Sequence, residues 1–162
     1  MLPPLSLVTS DDERYMREAL KEAIKASELM EVPVGAVIVK DGAIIARGHN
    51  QVELLRDVTA HAELLAIGTA SSASGNWRLE GATLYCTLEP CPMCAGAILL
   101  SRLESVVWAA PDMRMGANGS WVDLFSSNFP LHTVKIKRGI FEEWSRALLK
   151  QFFQKKRLEN GD

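Results

Sequence analysis

The stretch "ATLYCTLEPCPMCAGAILLS" (82–101) changes character at its centre. Leu84, Cys86 and Leu88 share one parity, as alternate residues of a β-strand share one face. Past Glu89 and Pro90 the pattern becomes an unbroken apolar run opened by Pro92. Proline is favoured at a first helical position because the N–H it lacks would have no partner there. The stretch therefore predicts a strand over 82–89 turning directly into a helix from Pro92 to about Ser101. Cys91 and Cys94 sit at the turn.

Working outward, strands and helices keep alternating. Upstream, "TSDDERYMREALKEAIKASELM" (9–30) predicts an amphipathic helix capped by Ser10 or Asp11, with Tyr15, Ala19, Ala23 and Ala26 at helical spacing. "VPVGAVIVK" (32–40) and "AIIARGHN" (43–50) flank Asp41-Gly42, a two-residue hairpin signal. A polar stretch, "QVELLRDV", leads to Thr59 as N-cap of a helix over 60–70, and "SSASGNWR" (71–78) predicts a loop. Downstream come a strand at 105–110, a loop "PDMRMGANG", a short helix around 120–126, a strand "HTVKIK" and a last helix over 141–157. One hairpin followed by alternation predicts an α/β fold: a three-layer α/β/α sandwich on a mixed five-stranded sheet, as one domain over 1–162.

Composition narrows the classes. At 48% hydrophobic and 23% charged residues the chain reads as an ordinary globular enzyme, and no apolar run approaches membrane-span length. "MLPPLSLVTS" lacks the basic start and uninterrupted apolar centre of a signal peptide. Three cysteines, two of them in C-x-x-C, argue against a disulfide framework and for a reducing cytoplasm. The net charge of −2 does not advertise a nucleic-acid partner. Lys150, Lys155, Lys156 and Arg157 nevertheless make the C-terminal end locally basic, either as a solvated helix face or as a seat for an anionic partner.

At a helix start, unpaired N–H groups and the positive end of the dipole favour thiolates. Cys91 and Cys94 alone suit a metal or a redox dithiol alike, with idle core thiols as a third reading. "TAHAE" (59–63) tips the balance to metal. His61 and Glu63 lie about 200° apart around a helix, so they can converge only on something that approaches the first turn. Two helices aiming their starts at one point would bring His61, Cys91 and Cys94 onto a zinc with its fourth position open. Glu63, not needed as a ligand, is then free to move protons. Cys86 faces the core with Leu84 and Leu88 and is no ligand. His49 and His132 read as surface or structural histidines, and Trp77, Trp121 and Trp144 as packing residues.

H-x-E followed by P-C-x-x-C resembles the zinc-dependent nucleobase deaminases. "EVPVGAVIVKDG", "TAHAELLAI", "GNWRL", "TLYCTLEPCPMCAGAILLSRL", "GANGSWVDLF" and "ALLKQFFQKKR" together resemble the bacterial tRNA-specific adenosine deaminases along nearly the whole chain. The resemblance implies a cytidine-deaminase-like fold, a cytoplasmic homodimer, one Zn2+ per subunit and a tRNA anticodon stem-loop as partner. It implies hydrolytic deamination of adenosine to inosine at the wobble position, with Glu63 catalytic and His61, Cys91 and Cys94 on the metal. It further implies that Asn50, Ala62, Asp112, Arg114, Phe152 and Phe153 bind substrate. Gln51, Val58, Trp108-Ala109 and Leu131 depart from the family pattern. The competing readings are a deaminase of free guanine or cytosine and a non-catalytic zinc or redox module.

Overall fold

The structure is a computed structural model that describes residues 1–126 and 129–161. Its five strands are β1 (Gly35–Lys40), β2 (Ala43–His49), β3 (Thr83–Leu88), β4 (Ser105–Ala110) and β5 (Lys135–Arg138). They form one sheet in the order β2-β1-β3-β4-β5. The hairpin supplies antiparallel pairing, and β1 also meets β3 antiparallel. β3, β4 and β5 run parallel, so each successive pair is joined by a crossover connection. The helices are α1 (Asp11–Glu28), α2 (Val52–Leu55), α3 (Ala62–Ser74), α4 (Pro92–Leu100) and α5 (Glu142–Asn160). Among the described residues no helix is long and apolar enough to cross a membrane.

Strand alternation sorts the core into two layers. Ala36, Ile38, Leu84, Cys86, Val106 and Trp108 face Ala62, Ala66 and Ala70 of α3 and Ile98 and Leu99 of α4. Val37, Val39, Tyr85, Val107 and Ala109 face Tyr15, Met16 and Ala19 of α1. α5 joins α1's side, where the Ser145 hydroxyl donates to the Thr87 carbonyl. The three-layer mixed-sheet expectation holds, and Cys86 is the core thiol it was read to be.

Two glycines set how closely helices approach the sheet. A Cβ on Gly35 would stand 2.1 Å from the Ala19 carbonyl of α1, and one on Gly48 would stand 2.4 Å from the Ala62 carbonyl. The second contact matters most for the site, because it seats the first turn of α3 directly on β2.

Several local expectations need correction. The N-cap of α3 is His61, not Thr59: the Thr59 N–H and hydroxyl both donate to Asp57 Oδ1, at 2.8 and 2.7 Å, closing a turn ahead of the helix. α3 then runs through the first half of the expected loop and stops at Gly75, whose φ of +64° suits glycine. The "QVELLRDV" stretch contains the four-residue α2. Among the described residues 120–126 no helix forms; an Asn118–Asp123 bridge and the Asp123 carboxylate, accepting from the Phe125 and Ser126 amides, fold that segment instead. Trp77 and Trp121 are 52% and 62% exposed, so neither is a packing residue.

Candidate active site

α3 and α4 both begin at the C-terminal end of the sheet, and the residue at each start is a metal donor. His61 and Cys91 occupy the two N-cap positions with extended backbone, and neither side chain caps its own helix. Freed from capping, they turn toward each other. His61 Nδ1 lies 3.6 Å from Cys91 Sγ and 3.5 Å from Cys94 Sγ. Among the described residues these three form the one cluster whose donor atoms lie mutually close enough to hold a single ion.

The donor set can be tested against zinc. Zinc–sulfur and zinc–nitrogen bonds of about 2.3 and 2.0–2.1 Å at a tetrahedral angle put sulfur and nitrogen ligands about 3.6 Å apart. The two His61–cysteine distances match that edge. One imidazole nitrogen and two sulfurs leave the fourth tetrahedral position to a non-protein ligand. The residues fit one zinc.

Without an ion between them, the three donors share hydrogen bonds that split their proton affinities. A hydrogen bond from the Cys94 thiol, helped by His61, pulls the Cys91 thiol down to about 4. Cys94, which donates that bond and is deeply buried, is pushed up. The hydrogen bond to Cys91 raises His61 against its burial. Glu63, two residues into the same corner and 3% exposed, is pushed up to about 7 by burial. A carboxyl poised near neutrality suits a group that must both accept and release protons. Cys86, also fully buried, has its thiol pushed well above the ordinary value and stays inert.

The corner opens into a cavity of about 650 Å³. Its floor holds His61, Ala62, Glu63 and Cys91; its walls include Asn50, Asp112 and Arg114, and Phe153, Lys156 and Arg157 of α5 reach its mouth. Most of the substrate-binding residues expected from the resemblance are thus brought together. Asn50 is 7% exposed, and its amide donates to Glu31 at 3.2 Å. The Asp112 carboxylate accepts from the Arg114 and Met115 amides, at 3.0 and 3.3 Å, so it shapes the turn that carries Arg114.

Phe152 is the exception. It is 5% exposed and absent from the cavity wall, because adjacent helix positions face about 100° apart and Phe153 takes the cavity side. Its ring meets Phe153 edge-on and lies 5.7 Å from Lys156 Nζ, so it anchors the tail from beneath.

Glu31 and Glu89, both buried on the cavity wall, were missed by sequence reasoning as site residues. An acid flanking an apolar strand, as each does, is a weak signal: if the strand is buried the acid must find donors.

Residues 9–110 match the model of the cytidine and deoxycytidylate deaminase zinc-binding region. The chain is 51% identical over 148 residues to the tRNA-specific adenosine deaminase of Bacillus subtilis, covering 91% of this chain and 92% of that one. It is also 51% identical over 159 residues to the chloroplastic tRNA(adenine(34)) deaminase of Arabidopsis thaliana, but spans only 12% of that longer protein. A solved structure from studies of A-to-I editing by tRNA:A34 deaminases superposes with a TM-score of 0.81 at 45% identity, over 83% of this chain and 98% of the other. On both the metal corner and these likenesses, the chain belongs to the zinc-dependent cytidine and deoxycytidylate deaminase family, within its tRNA-specific adenosine deaminase branch.

Proposed function

We propose that this protein hydrolyses adenosine to inosine at the wobble position of a tRNA anticodon. The carrying observation is the convergence of His61, Cys91 and Cys94 beside a buried Glu63, at the floor of a cavity rimmed by Phe153, Lys156 and Arg157. A free base needs the floor but not a cationic, aromatic rim. A base swung out of a single-stranded loop needs both, since its phosphates and neighbours stay outside.

His61, Cys91 and Cys94 would hold the zinc. When bound, the metal supplies an acidified water as nucleophile. Glu63 would accept one proton of the attacking water and pass it to adenine N1 as oxygen bonds to C6. It would then take the second from the new C6 hydroxyl and deliver it to the amino group as the C6–N bond breaks and the carbonyl forms. Water and adenosine become inosine and ammonia, with Glu63 back in its starting state. The Asn50 amide, steadied by Glu31, faces the bound nucleoside. Arg114, Lys156 and Arg157 offer cations to the flanking phosphates. In keeping with the family resemblance, the working unit is a cytoplasmic homodimer of single-domain subunits acting on the anticodon stem-loop.

The test offers zinc-loaded protein an anticodon stem-loop with adenosine at the wobble position, and separately adenosine, cytidine and guanine. Inosine from the stem-loop alone is the expected result. Turnover of a free base with none of the RNA would overturn the reading.

A further inference from the structure

Glu89 lies two residues before Cys91, is 2% exposed, and takes no part in the chemistry above. Its carboxylate is wrapped by the loop that follows β4. Oε2 accepts from the Asp112 amide at 3.0 Å and from the Ser120 hydroxyl. Oε1 accepts from the amides of Asn118 at 2.9 Å and Ser120 at 3.2 Å. These donors bracket the Asp112–Arg114 turn from both sides. Backbone bonds complete the seam: the Glu89 amide donates to Ala110, and the Ala117 amide to Pro90. The fit is tight, since a Cβ on Gly116 would stand 2.3 Å from Glu89 Cδ.

A loop of ten residues could be held by apolar packing alone. Here it is gathered round one buried carboxylate covalently joined to the metal-binding turn. The wall that presents Asp112 and Arg114 is thereby indexed to the cysteines at the floor. We propose that Glu89 is a positioning residue for the RNA substrate, fixing through this loop where Asp112 and Arg114 stand at the cavity mouth. This rests on the reading of the protein as an RNA deaminase. With both carboxylate oxygens taken up by this loop, Glu89 sets the distance between the floor, where the base reacts, and the rim, where the strand is held.

The variant Glu89→Gln keeps the size of the side chain but turns an NH2 toward backbone donors. Ser120→Ala removes only the hydroxyl donor and is the gentler test. In zinc-loaded protein, Glu89→Gln should raise the KM for the stem-loop about tenfold, as loss of one hydrogen bond to a charged group would. It should weaken stem-loop binding in parallel and leave kcat and zinc content near wild type. Ser120→Ala should shift both constants in the same direction, by less. Amide exchange should quicken at Asp112, Asn118 and Ser120 and nowhere else.

An unchanged KM and affinity despite faster exchange would overturn the proposal, because the loop's order would then not serve the substrate. Loss of zinc or a fall in kcat at constant KM would also overturn it, making Glu89 a support of the metal turn. If wild type binds the stem-loop but deaminates a different base, the proposed function fails, while the affinity ratio still decides for or against Glu89.

Discussion

Two glutamates stand in the first turns of two helices, and their surroundings have little in common. Glu13 of α1 stands at the surface, with Oε2 accepting from the Thr9 amide and hydroxyl at 2.7 and 2.8 Å and from the Ser10 amide at 2.9 Å. Those bonds, the Thr9 amide first, hold its carboxyl below the ordinary range. Ser10 returns the favour to the Glu13 amide, closing a capping box. Glu63 of α3 is buried, and its helix opens on His61, which caps nothing. Burial lifts its carboxyl to about 7. Both helix starts offer unpaired N–H groups and a positive dipole end. α1 satisfies these with its own side chains, whereas α3 and α4 commit theirs to a site. What a first-turn glutamate does is set by what the helix start faces.

The sharpest test removes the proton-carrying group without changing its shape. Glu63→Gln should lower turnover of the stem-loop by about 10²–10⁴-fold, the usual contribution of a general acid–base. Zinc content, measured by atomic absorption, should stay near one per chain, and thermal stability should not fall, because an uncharged amide is no worse a guest in that corner. A variant retaining turnover within a few-fold of wild type would show that the two glutamates differ in burial only.

A second substitution asks whether α4's missing cap is the cost of its function. Cys91→Asp puts one of the best N-cap residues where a poor one stands. After chelation of metal from both proteins, the variant should be the more stable by about 0.5–1 kcal/mol in urea unfolding. With metal present, the variant should bind zinc more weakly and lose turnover. A gain in stability with full zinc affinity would mean that capping and ligation do not compete for this position.

Much of this was legible in the chain. The switch from strand alternation to an apolar helix at Pro92, and the two-residue offset of His61 and Glu63, are local patterns tied to one backbone period each. They forced the starts of α3 and α4 toward a common point, and the structure puts them there. The misses share a different cause. Thr59 looked like a cap because its chemistry is right, yet it closes a turn on Asp57 two residues earlier and the helix starts only after His61. Glu31 reaches Asn50 across 19 residues, and Glu89 gathers donors 23 to 31 residues downstream. No short period records such pairings. Trp121 misled for the same reason: an aromatic beside a glycine-rich loop packs only if the loop folds over it, and this loop folds round a carboxylate.

The smallest effect belongs to α1, where the comparison predicts changes in stability with none in function. Ser10→Ala should cost about 1 kcal/mol, lowering the melting midpoint by about 2–4 °C, with turnover unaltered. Glu13→Gln adds a pH signature. The folded-state pKa of Glu13 lies below its ordinary value of 4.5, so the folded chain sheds this proton more readily than the unfolded chain. Its stabilising contribution is therefore full above the unfolded value and is lost as pH falls through the folded one. Urea midpoints of wild type and Glu13→Gln should differ at pH 7 and converge once the pH has fallen through the lowered folded-state value, where the wild-type carboxyl is also neutral. A gap that persisted into acid would mean that the α1 glutamate acts through shape, and that charge is not what distinguishes it from Glu63.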